Sequence, residues 1–239
     1  MPEVSILDLC LHVRNPDTLV LSDVQLGYEE TLNRQGIFLP RFNYKAIEKR
    51  LNERVFSVQD HFSTILVNGD LKHSFGKASD QEWGEVLDLI DLLKSHADTV
   101  VLVKGNHDLA LQPLAKFKNV ALEDPGHYLA LQKTFICHGH AIPETREFME
   151  AKTLVIGHDH PAVQLRDGVK NETYKAFLLG KWKDKNLIVM PSFNFLHAGT
   201  NILREEFLSP FLKENPLGEF SVWLVEDQAY YFGRVKDLP

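Results

Sequence analysis

A four-layer α/β/β/α sandwich, two mixed sheets flanked by helices, is the α/β fold this 239-residue sequence predicts. Three observations lead there. Helical patterns alternate with short apolar runs in the first half, and short β runs dominate from about residue 119 to 192. Five of the apolar runs are continuous rather than alternating, as in strands buried on both faces. Two packed sheets with helices outside them accommodate both halves of the chain. The length suits one domain, residues 1–239, able to bury about 70–75% of the surface its unfolded form exposes.

In chain order, residues 4–13 read as a strand, and Asn15-Pro16-Asp17 as the turn into the first core run, 18–21. A polar stretch from Asp23 to residue 42 reads as a loop long enough to arch over the strand ends. Asn43 is taken as the N-cap of a helix that turns Ile47, Leu51, Val55 and Val58 inward and leaves Lys45, Lys49 and Arg50 solvated. The second core run, 64–67, leads to Asp70 and a loop through Gly76. Ser79-Asp80-Gln81-Glu82 is a capping box opening a helix with Trp83, Val86, Leu87, Ile90 and Leu93 inward. After the third core run, 100–103, residues 108–116 suit a short helix with Pro113 as an early break. Strands are expected at 119–122, 127–131, 134–138, 153–157, 161–166, 174–179 and 186–190, with turns at Asp167-Gly168 and Asp184-Lys185-Asn186. Residues 220–225 and 230–235 close the chain as a hairpin.

The charge balance is acidic, 26 Lys+Arg against 33 Asp+Glu for a net −7, which disfavours the broad basic face that long nucleic acids require. Cys10 and Cys137 form no C-x-x-C pair, and Cys137 lies inside an apolar run, so free buried thiols in a reducing cytoplasm are expected. The first residues carry no basic-then-apolar leader, and no stretch approaches the ~18 apolar residues of a membrane span. No membrane partner is expected, and a homodimer stays open.

Function is concentrated where the core runs stop. They end at Asp23, at Asn68-Gly69-Asp70, at Gly105-Asn106-His107-Asp108, at His138-Gly139-His140 and at Gly157-His158-Asp159-His160. Open α/β sheets place ligands beyond the carboxyl ends of their strands, so these runs aim metal-ligand side chains at one rim. Hydrolysis of a phosphate ester at neutral pH needs an activated water, positive charge on the phosphoryl oxygens and a proton for the leaving oxygen. Two divalent ions supply the first two. Asp70 is the candidate to bridge both ions, with Asp23 and His160 completing one shell and Asn106, His138 and His158 the other. On one strand His158 and His160 would share a face, with Asp159 turned away. His73 and His140 follow rim strands closely enough to reach a bound phosphate, as does Asn106.

Simpler readings exist for each piece. Gly-Asn-His-Asp can open a helix, and His158 with His160 can be the polar face of an edge strand. The conjunction of five apolar runs, each ending in a ligand-type residue, is what these readings leave unexplained. His12, His61, His96, His127 and His197 sit in ordinary patterning. Lys181-Trp182-Lys183 interleaves charge and ring in a way that suits base stacking, but a solvated hairpin tip explains it better.

These residues in this order resemble the calcineurin-like metallophosphoesterases, whose pattern is D-x-H, G-D, G-N-H-D/E, H and G-H-x-H. Gly27, the 36–40 segment and Pro191-Ser192-Phe193-Asn194 are similar to the SbcD-related archaeal phosphoesterases and the bacterial DNA-ligase-associated metallophosphoesterases. The resemblance implies the sandwich, a dinuclear metal centre and phosphoester hydrolysis, with His107 beside the leaving group as the catalytic residue rather than a principal ligand. The sequence departs at Gln25, where most relatives have His. A neutral, hard oxygen there favours Mn²⁺, with Ni, Fe, Zn and Mg as alternatives. The expected activity is hydrolysis of phosphodiesters, with nucleotides or short nucleic acids as substrates. A DNA-repair-type nuclease, a phosphomonoesterase and a weakly catalytic binding scaffold are the alternatives.

Overall fold

Parallel pairing of the core runs sets the architecture. The protein is described by a computed structural model covering residues 3–76, 78–167 and 170–238. The chain opens on a hairpin, β1 (Val4–Leu7) and β2 (Cys10–Arg14), rather than the single strand expected, because Asp8 takes a left-handed turn conformation between them. From β2 the chain turns antiparallel into β3 (Asp17–Ser22), and β4 (Phe62–Asn68), β5 (Ala97–Val103) and β6 (Ala121–Glu123) follow in parallel. Among the described residues these form a six-stranded sheet in sequence order.

Among the described residues four α-helices serve this half. The expected loop between Asp23 and residue 42 contains α1 (Tyr28–Arg34). Its buried Glu29 accepts hydrogen bonds from the backbone N–H of Phe42 and Asn43, so this carboxylate caps α2 (Asn43–Arg50) and Asn43 does not. The Asn43 side chain instead accepts from Phe195 N. A π-helical turn over 51–56 follows α2, burying Leu51 and Val55, whereas Val58 lies past its end and is exposed. The capping box forms as read: Ser79 accepts from Glu82 N, and Glu82 accepts from Ser79 N. It opens α3 (Asp80–Ser95), which buries Val86, Leu89, Ile90 and Leu93 but leaves Trp83 at the surface. α4 (Gln112–Lys118) starts later than expected, and Pro113 sits in its first turn, where a missing N–H costs no helical bond.

The second sheet gathers β7 (His127–Leu129), β8 (Thr134–Ile136), β9 (Thr153–Ile156), β10 (Pro161–Asp167), β11 (Lys170–Trp182), β12 (Lys185–Val189) and β13 (Thr200–Asn201), extended through β14 (Ser221–Val225) and β15 (Ala229–Arg234). The turn expected at Asp167-Gly168 lies partly outside the described residues. Alternate residues face opposite ways: Val155, Phe177 and Ile188 join the core shared with the first sheet, while Leu154, Ile156, Ala176, Leu178, Leu187 and Val189 enter a second core. Among the described residues that second core is covered by the short helix α5 (Arg146–Glu150), the 202–220 segment and the C-terminal Val235 and Leu238, through side chains such as Phe148, Ile202, Phe211 and Leu212. The result is two mixed sheets flanked by helices, with a thin outer layer on the second. Both cysteines are buried and free. No helix among the described residues is long and apolar enough to cross a membrane.

Candidate metal centre

The sheet registers bring the motif residues to one rim. β3 and β4 run parallel through Ser22↔Asn68, and the pairing continues beyond both strands as Asp23 N and Gln25 N donate to Gly69 O and Asp70 O. β4 and β5 end together at Asn68↔Val103, which delivers Gly105-Asn106-His107-Asp108 beside Asp70. In the second sheet β8 and β9 are parallel, and Gly157 N donates to His138 O just past their ends. Phe193 N, leaving β12, donates to Ser22 O and ties the two rims together.

The side chains converge on buried ground. Asp23 and Asp70 are almost fully enclosed, and His138 stands between them, its Nδ1 3.5 Å from Asp23 Oδ1 and its Nε2 3.4 Å from Asp70 Oδ2. Asn106 Oδ1 lies 2.9 Å and His158 Nδ1 3.1 Å from the same His138 Nε2. His160 Nε2 is 3.2 Å from Asp23 Oδ1. Ligand atoms of Asp70, His138 and His158 all lie within 4.8 Å of one another. Yet His138 Nδ1 and His160 Nε2 are buried without a hydrogen bond, close to Asp23 but not aligned with it. Unsatisfied buried nitrogen beside carboxylate oxygen is costly, and a divalent cation bound by neutral imidazole and carboxylate is one way to satisfy it. The donor set therefore fits a metal ion.

The electrostatics agree. Burial alone would raise the Asp23 and Asp70 carboxyls, but the imidazoles outweigh it: His160 and His138 hold Asp23, and His138 and His107 hold Asp70, below the usual carboxylate range. Burial lowers the His138 imidazole, but the Asp23 and Asp70 charges outweigh burial and lift it to about 9. Burial, reinforced by His138, pushes His158 down to about 4.

Backbone geometry is bent to suit the site. Asp23, Gln25, Asp70, His158 and His160 all adopt left-handed φ values between 47° and 72°, a conformation costing of order 1–3 kcal/mol each in a non-glycine residue. His158 and His160 consequently occupy a loop rather than a shared strand face, since β10 begins only at Pro161. Asp159 does point elsewhere, accepting from Leu208 N and Ser209 N. Two glycines permit the crowding. A Cβ on Gly105 would stand 2.1 Å from Asp70 Oδ1, and one on Gly157 2.2 Å from Asp23 Oδ2.

Other expected residues lie around this cluster. His107 N donates to Asp70 Oδ1, and its Nε2 is 3.7 Å from Asp70 Oδ2. Its Nδ1 is hydrogen-bonded to the carbonyl of His73, which can only accept, so Nδ1 carries a proton and Nε2 is the nitrogen free to exchange one. His73 packs behind His107 with its ring against Tyr28, while His140 sits at the mouth, its ring 5.3 Å from that of His138. Gln25 is buried and its backbone carbonyl accepts from Asn194 Nδ2, which also reaches Val24 O.

Several supporting residues were not singled out from the sequence. Ser22 Oγ donates to Asp23 Oδ2, and Asp108 accepts from Gly105 N, Leu71 N and Lys72 N, fastening both rim loops. Lys72 is fully buried and donates to Ser74 O and His107 O. His197, read as ordinary, stands edge-on to His160 with centroids 5.9 Å apart. His12, His61, His96 and His127 pair instead with Asp17, Asp98, Asp60 and Glu123. Trp182 is buried against Phe148 and Phe211, so its ring is not offered for stacking. Lys181 and Lys183 line a cavity of about 950 Å³ with Trp223 and Tyr231, and none of the residues gathered at the rim lines it.

The fold is shared with a solved structure. A nuclease MPE from Pseudomonas putida superposes with a TM-score of 0.66 at 18% identity, over 95% of this chain and 93% of that one. YfcE, a phosphoesterase from E. coli, gives 0.43 at 15% identity over 87% of each chain. Vps29 from Entamoeba histolytica, in its complex with zinc, gives 0.37 at 18% identity over 88% of this chain and 86% of that one. No curated protein matches the sequence. The calcineurin-like phosphoesterase family model matches residues 17–218, spanning every rim residue described above, and the chain belongs to that family.

Proposed function

We propose that the protein hydrolyses phosphodiesters with two bound divalent cations, Mn²⁺ foremost. The observation that carries this reading is the pair of buried carboxylates, Asp23 and Asp70, on either side of the His138 imidazole at the carboxyl ends of parallel strands, with two imidazole nitrogens beside Asp23 left without a hydrogen bond. Asp70 would bridge the ions. Asp23, His160 and the Gln25 amide would hold one, and Asn106, His138 and His158 the other. When bound, such ions acidify water and neutralise phosphoryl oxygens.

The chain's own residues supply the rest. His107 is oriented by Asp70 through its backbone N–H and by the His73 carbonyl through Nδ1, which leaves Nε2 to hand a proton to the departing oxygen. Lys72, with no carboxylate among the described residues within salt-bridge distance, fixes the main chain of His107 by its carbonyl. Asn106 and His140 both neighbour His138 and would contact the phosphate; His73 acts through His107. Nucleotides and short nucleic-acid strands are the substrates we favour, since the chain is acidic overall and shares its fold with a nuclease.

Turnover of bis(p-nitrophenyl) phosphate by metal-stripped protein, before and after adding Mn²⁺, tests the proposal. Hydrolysis that appears with the metal and vanishes with chelator supports it. A folded, metal-loaded protein inert towards this diester and towards dinucleotides contradicts it.

A further inference from the structure

Beside His107 lies a feature the hydrolytic machinery does not use. Phe75 is 56% exposed, and its ring stacks on the His107 imidazole with centroids 3.7 Å apart and planes at 29°. It is the outer member of a row of rings, Tyr28, His73, His107 and Phe75, separated successively by 4.1, 5.5 and 3.7 Å. His107 covers one face of Phe75, and more than half of the residue is open to solvent.

An exposed ring on a slack loop would carry no meaning, but this loop is fastened from beneath. Lys72 donates to Ser74 O and His107 O, and the enclosed Glu82 accepts from Ser74 N at 2.7 Å while completing the capping box of α3. A buried cation and a buried carboxylate thus set the residue just before Phe75. Burying such groups costs several kcal/mol unless they are well paired, and here both are paired to Ser74, which sets the Phe75 ring against the leaving-group histidine.

Resting on the phosphodiesterase reading above, we propose that Phe75 is the platform of a nucleobase subsite on the leaving-group side. A nucleoside departing beside His107 Nε2 would lay its base on the open face of Phe75. Stacking on an aromatic side chain accepts every base, so the subsite selects nucleosides over alkyl alcohols without reading sequence.

Dinucleoside monophosphates in which one or other base is replaced by base-free tetrahydrofuran test this in the Mn²⁺-loaded protein. The product without phosphate identifies the leaving half. Stripping the base from that half should lower kcat/KM by about 5- to 150-fold, the range of base–aromatic stacking, with a smaller effect on the other half. Phe75→Leu should abolish this discrimination and Phe75→Trp should keep it. Equal rates on intact and base-free leaving halves in the wild-type protein, or discrimination that survives in folded Phe75→Leu, would overturn the subsite alone. No hydrolysis of any of these diesters would overturn the phosphodiesterase reading, and the subsite with it.

Discussion

Gly157→Ala presses on the Asp23 carboxylate and its hydroxyl partner Ser22. The new Cβ would stand 2.2 Å from Asp23 Oδ2 and 2.1 Å from Ser22 Oγ, where ordinary contact begins at 3.4 Å, so both oxygens must retreat by roughly 1 Å. They have little room. Asp23 is held in a left-handed conformation at φ 55°, and its Oδ2 accepts from both Ser22 Oγ and His158 N. Overpacking of this kind costs about 1–3 kcal/mol, which for a chain of this size lowers the melting temperature by roughly 2–4 °C per kcal/mol. Misplacing a reacting group by ~1 Å costs about 10²-fold in rate. The assay is Mn²⁺ activation of bis(p-nitrophenyl) phosphate hydrolysis alongside a thermal melt, with Gly84→Ala as control, because nothing lies within 4 Å of a Cβ at that helical position. We expect Gly157→Ala to fold, lose about two orders of magnitude in turnover and need more Mn²⁺. A folded variant with wild-type activation and rate would refute the assignment of Asp23 to the working site.

His107→Ala should cost about 10²–10⁴-fold on an alkyl diester and far less on a p-nitrophenyl ester, which needs no proton to leave; equal losses in kcat on the two would show positioning rather than acid catalysis. Gln25→His should lower the Mn²⁺ concentration for half activation by about 10–100-fold if the amide is a weak ligand, and an unchanged activation curve would remove residue 25 from the metal shell. Metal affinity should depend on pH through His138, whose imidazole is lifted to about 9 by Asp23 and Asp70 in the metal-free protein. Below that pH an ion must displace its proton, so calorimetric affinity should climb about tenfold per unit towards pH 9 and flatten above it. A plateau already near the ordinary imidazole value would show that the carboxylates do not lift the His138 imidazole.

The legible part of the fold was the part governed by side-chain burial. Continuous apolar runs became β3, β4, β5, β8 and β9, and their polar ends became the rim, because a parallel strand buried on both faces must be apolar and must release its ligands at one end. The capping box of α3 was legible because Ser79 and Glu82 are local partners. Long-range partnerships were not. Helix α1 hides in a polar stretch, and the cap of α2 comes from Glu29, fourteen residues upstream, rather than from Asn43. Placing His158 and His160 on one strand failed because a period of two assumes extended backbone, whereas both residues are left-handed. Lys72 reads in sequence as a loop cation, and only the fold reveals that two carbonyls from separate loops enclose it.

The claim on which the rest depends is that Asp70 joins two cations in one site. Elemental analysis of the purified protein after equilibration with Mn²⁺, in the wild type and in Asp70→Asn, measures it directly. The amide of the variant can still accept from His107 N but lacks the negative charge that lets one side chain serve two ions. Two Mn²⁺ per chain in the wild type, falling to one or none in a folded Asp70→Asn without turnover, is the expected result. Two ions retained by the variant, or one ion at saturation in the wild type, would contradict it.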